Sequence, residues 1–117
     1  IWTENIWMGT SIENMEVARR ADALRLVPAA VRFISAEPLL GPLDELDVTG
    51  IDWVIGGGES GANHRPVDVE WARGLRALCE SHEVAFFWKQ WGGITSKSGG
   101  RELDGREWSE YPVALTA

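Results

Sequence analysis

Four places in the chain put a polar or charged side chain just beyond an apolar run. They are Ser11-Ile12-Glu13-Asn14, Ser35-Ala36-Glu37-Pro38, Gly57-Gly58-Glu59-Ser60 and Lys89-Gln90-Trp91. Three of these junctions carry a glutamate, which accepts hydrogen bonds and pairs with ammonium groups; the fourth carries Lys89 and Gln90, which suit a carboxylate or phosphate. Charges of both signs converging on one rim are what a polar-ligand site needs. Glu37 is the leading candidate among them, because Pro38 stiffens the backbone that follows it. The competing reading is structural: glutamates after strands are commonly solvated loop residues, and Lys89 and Gln90 serve equally well as an ion pair and a loop hydrogen bond.

The run Gly56-Gly57-Gly58 permits close backbone approach, so its N–H groups are candidates for holding a phosphate, a carboxylate or an adenosine moiety. It matches neither the Walker loop nor the dinucleotide fingerprint, and Glu59 has the wrong sign to sit beside a phosphate. A tight turn under a neighbouring side chain explains Gly57 and Gly58 equally well. Arg65 is either a carboxylate clamp or the partner of Glu59. Trp91, followed by Gly92 and Gly93, is a candidate pocket wall. Cys79, the single cysteine, reads as a buried thiol on a helix face, and one thiol cannot build a metal site. His64 and His82 lack partners at telling spacing, so a hydrolytic triad is unsupported, no metal site is assigned and the catalytic residues are unknown.

The elements that must position these groups follow from periodicity. Asn5 to Ser11, Val31 to Ala36, Trp53 to Ile55 and Val84 to Trp88 are short apolar runs that do not alternate, the pattern of strands in a parallel sheet. Between the first two, Val17, Ala21 and Leu24 recur at helical spacing over Glu16 to Leu26, with Asn14 as a cap and Pro28 as a stop. Before the fourth, Asp68 caps a helix whose apolar face carries Trp71, Ala72, Leu75, Leu78, Cys79 and His82. The class is α/β, in the order β-α-β-loop-β-α-β, with both helices packed on the sheet. Residues 1–93 form this unit. Residues 94–117 form a glycine-rich loop with a loose tip at Thr95 to Gly100, a small hairpin turning at Asp104-Gly105, and a tail.

Composition narrows the class further. With 117 residues, 44% hydrophobic and 25% charged, the chain is an ordinary globular one. Eleven basic against eighteen acidic residues, a net charge of -7, disfavour nucleic acid as a partner. No apolar run approaches the ~20 residues of a membrane span, and a cytoplasmic protein is expected.

Four blocks together resemble a known family: Asn5–Asn14 (NIWMGTSIEN), Val31–Pro42 (VRFISAEPLLGP), Trp53–Gly61 (WVIGGGESG) and Phe86–Gly92 (FFWKQWG), with the tail Gly100–Gly105 also similar. The chain resembles the carboxyl-terminal half of a phage- and prophage-encoded family of unknown function that looks like radical S-adenosylmethionine enzymes. The resemblance implies half of a (β/α) barrel, with Glu13, Glu37, Glu59, Lys89 and Gln90 on its rim. It also implies that S-adenosylmethionine and a [4Fe–4S] cluster enter only with an N-terminal half carrying the cluster cysteines, so that the chain alone binds no cofactor and is not expected to be catalytically competent. Where the family has cysteine, this sequence has Ala36. The expected partner is that complementary half or a second copy, since a half barrel leaves sheet edges and apolar faces open. The other hypothesis is a stand-alone phage α/β module that binds a host protein without catalysis. If the rim exists, Glu13, Glu37, Glu59 and Lys89 share one sheet edge, with at least one carboxylate leaning on Lys89 or Arg65 or having a raised pKa.

Overall fold

The computed structural model describes residue 3 and residues 5–112. Four strands, β1 (Trp7–Ser11), β2 (Val31–Ala36), β3 (Trp53–Gly56) and β4 (Ala85–Trp88), form one parallel sheet in the order β1-β2-β3-β4. The register aligns Phe33 with Trp53 and Ile55 with Phe87. In-register neighbours of parallel strands share a face, so Ile34, Ala36, Val54, Gly56, Phe86 and Trp88 lie on one side of the sheet. Trp7, Phe33, Trp53, Ile55 and Phe87 lie on the other.

Both helices cover the first side. Ala21 and Leu24 of α1 (Arg20–Arg25) and Ala72, Leu75 and Cys79 of α2 (Val69–Ser81) join Ile34, Val54, Phe86 and Trp88 in a single buried core. A dry core of this kind supplies the main driving force of folding. The segment between β2 and β3 contains no helix; it sends Leu39, Leu43, Leu46, Val48 and Ile51 into the same core. No helix of the described residues joins the core from the second side of the sheet. Aromatic rings pack against one another there: Trp53 has Trp7, Phe33, Phe87 and Tyr111 at centroid distances of 5.8, 6.0, 6.3 and 5.4 Å.

The first helical stretch is shorter than its periodicity suggests. Asn14 caps as expected, accepting from Glu16 N, but it opens a three-residue 3₁₀ turn, Met15–Val17. The hydrogen bonds Ala18 N to Met15 O, Ala21 N to Ala18 O and Asp22 N to Arg19 O then keep the tighter three-residue winding up to α1. His82, expected on the apolar face of α2, is instead its exposed C-terminal cap. The hairpin forms as β5 (Glu102–Leu103) and β6 (Arg106–Glu107), with φ of +53° at Asp104 and +82° at Gly105, the two positive values a two-residue hairpin turn requires. After it the chain runs antiparallel beside β4, with Trp88 N bonded to Trp108 O and Glu110 N to Phe86 O, so the β4 edge is occupied. No helix among the described residues is long and apolar enough to cross a membrane.

Candidate functional site

Parallel strands present all their carboxyl ends to one edge, where loops can carry polar groups on a rigid scaffold. Glu13, Glu37, Glu59 and Lys89 follow β1, β2, β3 and β4 on that edge. Three of these strand ends meet in one cluster. The Glu37 carboxylate receives Lys89 Nζ at 3.2 Å and Gln90 Nε2 at 2.5 Å, and Gln90 Nε2 also donates to Gly58 O at 3.0 Å. Glu37 thus leans on the lysine, and the amide of Gln90 ties the end of β2 to the loop after β3.

Glu59 takes the other cation. Arg65 Nε and Nη2 reach its two oxygens at 3.0 and 2.7 Å, and the Arg65 backbone N–H donates to it at 2.7 Å. These side-chain and backbone hydrogen bonds, reinforced by the charge of Arg65, hold the Glu59 carboxyl down at about 2. Of the two readings of Arg65, the structure shows the pairing with Glu59, and at this edge Glu37 and Glu59 each lean on a cation.

The glycine run works by closeness. A Cβ on Gly57 would stand 3.1 Å from Gln90 Nε2 and 3.2 Å from a Glu37 oxygen, and one on Gly58 would overlap the Trp91 carbonyl. Neither N–H is free for a ligand: Gly57 N donates to Ala36 O and Gly58 N to Gln90 O. Of the two readings of Gly57 and Gly58, the structure shows the tight turn under neighbouring groups, and their N–H groups extend the sheet pairing beyond the strands.

Two further expectations change. Glu13 is drawn aside by Arg20, 3.4 Å away, and does not line the cleft at the cluster. Trp91 turns its ring onto Trp88, 4.8 Å between centroids, and donates to Glu102 O, so it braces the hairpin and does not wall the cleft. Cys79 is wholly buried, and burial pushes its thiol up to about 12. No group of three or more metal-ligating side chains occurs among the described residues.

The cleft above the cluster, about 660 Å³, is bounded by Glu37, Glu59, Lys89 and Gln90 and, from the far side, by Lys97 and Arg101. The segment expected as a loose tip supplies that far wall. It folds back through Trp91 N to Gly100 O at 2.9 Å and a turn in which Thr95 N donates to Ser98 Oγ. Lys97 and Arg101 were not singled out from the sequence, although one signal was there: the chain has only two lysines, Lys89 and Lys97, and both line this cleft. A larger cleft of about 730 Å³ lies at the amino ends of β3 and β4 and contains none of the strand-end residues.

A family model described as a protein of unknown function (DUF5131) matches residues 1–112, and the chain belongs to that family. No curated protein and no solved structure matches it.

Proposed function

We propose that in this member of DUF5131 the carboxyl edge of the sheet is a ligand-binding rim, contributed to a radical S-adenosylmethionine-type enzyme of (β/α)-barrel kind whose iron–sulfur cluster is held by a complementary half. The observation that carries the proposal is the cluster of Glu37, Lys89 and Gln90, drawn from two strand ends across a third and opening on a cleft. The similarity of the four strand-end blocks to phage-encoded, radical S-adenosylmethionine-like proteins supports it. Glu37 offers a carboxylate to an ammonium or sulfonium group, and Lys89 offers its ammonium to a carboxylate. The cluster itself does not fit this chain's residues: the one thiol is sealed in the core, and no step is assigned through it. In this reading the chain's own groups bind and orient.

The test is calorimetric titration of the full chain with S-adenosylmethionine. Glu37→Gln removes the charge that faces the cationic end and is expected to weaken binding about tenfold, the loss of one charge-assisted contact. Equal affinity in the variant and the parent sinks the assignment.

The alternative, an interaction module without catalysis, is favoured by one observation: among the described residues no helix covers the Trp7, Phe33 and Trp53 side of the sheet. On that reading the chain is a stand-alone phage module whose aromatic face docks on a host protein or on a second copy. Sedimentation of a stable monomer at high micromolar concentration removes the second copy.

A further inference from the structure

The polar cleft is continuous with the aromatic side of the sheet. A second, shallower cleft of about 340 Å³ is bounded by Trp53, Ile55, Phe87 and Tyr111, and it shares Lys89 and Arg101 with the first. We infer that the joined clefts bind a ligand with a planar aromatic ring and an anionic tail. Its ring lies on Trp53, Phe87 and Tyr111, and its phosphate or carboxylate lies among Lys89, Lys97 and Arg101. The inference rests on the strand-end rim being a ligand site and adds the chemical class of the ligand.

Charge supports the anionic end. In a chain of net charge -7, both lysines and one of the nine arginines surround this opening. The carboxylates at the same opening are already engaged, Glu37 with Lys89 and Gln90, Glu59 with Arg65. Lys97 makes no ion pair among the described residues, Lys89 keeps more than half of its side chain in solvent beside Glu37, and Arg101 shares its charge with Glu107 at 3.5 Å and bonds Ser109 Oγ, so the two lysines carry most of the attraction. Cations gathered at one mouth raise the local concentration of an anion.

Geometry supports the ring. Trp53 is fixed by its Nε1–H bond to Glu110 O at 2.9 Å and stands 5.4 Å from the Tyr111 ring at a 36° tilt. Phe87 closes the group, 6.3 Å from Trp53 and 5.7 Å from Tyr111. The Arg101 guanidinium sits 5.3 Å from the Phe87 centroid, at the boundary between the aromatic wall and the lysines. A preformed aromatic surface next to a cationic mouth takes a ring and its charged substituent together.

The experiment titrates the full chain, by quenching of tryptophan fluorescence and by calorimetry, with adenosine monophosphate, adenosine, ribose 5-phosphate and indole-3-acetate. Adenosine monophosphate is expected to bind about tenfold more tightly than either of its halves, in keeping with the measured worth of one base stacked on an aromatic side chain. Lys97→Ala, on an exposed loop, is expected to lower that affinity several-fold and leave adenosine unaffected. Glu37→Gln, which frees Lys89, is expected to maintain or raise it. Tight indole-3-acetate with weak adenosine monophosphate assigns the tail as carboxylate; the reverse assigns phosphate. Ribose 5-phosphate matching adenosine monophosphate, both weakened by Lys97→Ala, leaves the rim as a ligand site and overturns the aromatic subsite. No binding of any probe beside binding of S-adenosylmethionine overturns the inference and leaves the rim; no binding of any probe or of S-adenosylmethionine overturns both.

Discussion

Glu37→Gln separates what the Glu37 cluster does for the fold from what it does for a ligand. Two contacts change. The pair with Lys89 is mostly solvated, with 57% of the lysine side chain exposed, and exposed pairs contribute about 0.5 kcal/mol. The 2.5 Å bond from Gln90 is partly buried and charge-assisted, and such bonds contribute about 1.5–3 kcal/mol against about 1 kcal/mol for a neutral one. The new amide can turn its oxygen toward Gln90 and keep the neutral bond, so the net loss is about 1–2.5 kcal/mol. With a urea slope of about 1.5 kcal/mol/M the midpoint falls by roughly 1 M. Tryptophan fluorescence and far-UV circular dichroism, followed through one urea titration, measure it with an unchanged slope as the control. A loss above about 4 kcal/mol would show that Glu37 is a structural keystone, and an unmoved midpoint would show that the cluster contributes nothing in solution. Either outcome refutes the reasoning.

Three other outcomes follow from single sites. Gly58→Ala forces a methyl into the Trp91 carbonyl and is expected to cost about 1–3 kcal/mol as the two loops separate, read from the same urea titration; a neutral result contradicts the close approach. Cys79 is expected to resist a thiol reagent at pH 8 until denaturant is added, because burial holds its pKa near 12; labelling within seconds in native buffer contradicts its place in the core. Glu59 has a carboxyl lowered from 4.5 to about 2 by Arg65; a lowered folded-state value stabilises above the unfolded value and is lost as acid is added. The stability difference between the parent and Glu59→Gln is therefore expected to be constant above pH 5 and to close between pH 4.5 and 2; a difference that does not depend on pH contradicts the pairing.

The parallel sheet was legible because its four strands are short, apolar and separated by helical periodicity or by proline. Helix α2 was legible for the same kind of reason, since Asp68 caps it and Ala72, Leu75 and Cys79 recur on one face. The face of the sheet that each apolar residue takes was not legible. In Trp53-Val54-Ile55 and Phe86-Phe87-Trp88 every position is apolar, so no alternation distinguishes the side under α1 and α2 from the aromatic side. Parity becomes informative only once the register Ile55 to Phe87 is known.

The site shows the same division between local and long-range information. Glu37, Glu59, and Lys89 with Gln90 could be singled out because they follow the ends of three strands, and parallel strands bring their carboxyl ends to one edge whatever the loops do. Lys97, Arg101 and Tyr111 follow no strand of the sheet. They reach the cleft only because Gly100 accepts from Trp91 and the segment after β6 runs back along β4, contacts that no local pattern encodes. What composition did offer was scarcity. A chain with eleven cations and only two lysines, both beyond its last apolar strand, concentrates the flexible point charges of the sequence in one stretch. Arginine dominates elsewhere, and its planar fork suits the fixed pairs in which Arg65 and Arg73 are found. Lysine, a rotatable point charge with three donors, suits an anion that comes and goes. The placement of Lys89 and Lys97 across one opening is therefore the feature of this molecule that a purely structural role for the rim explains least.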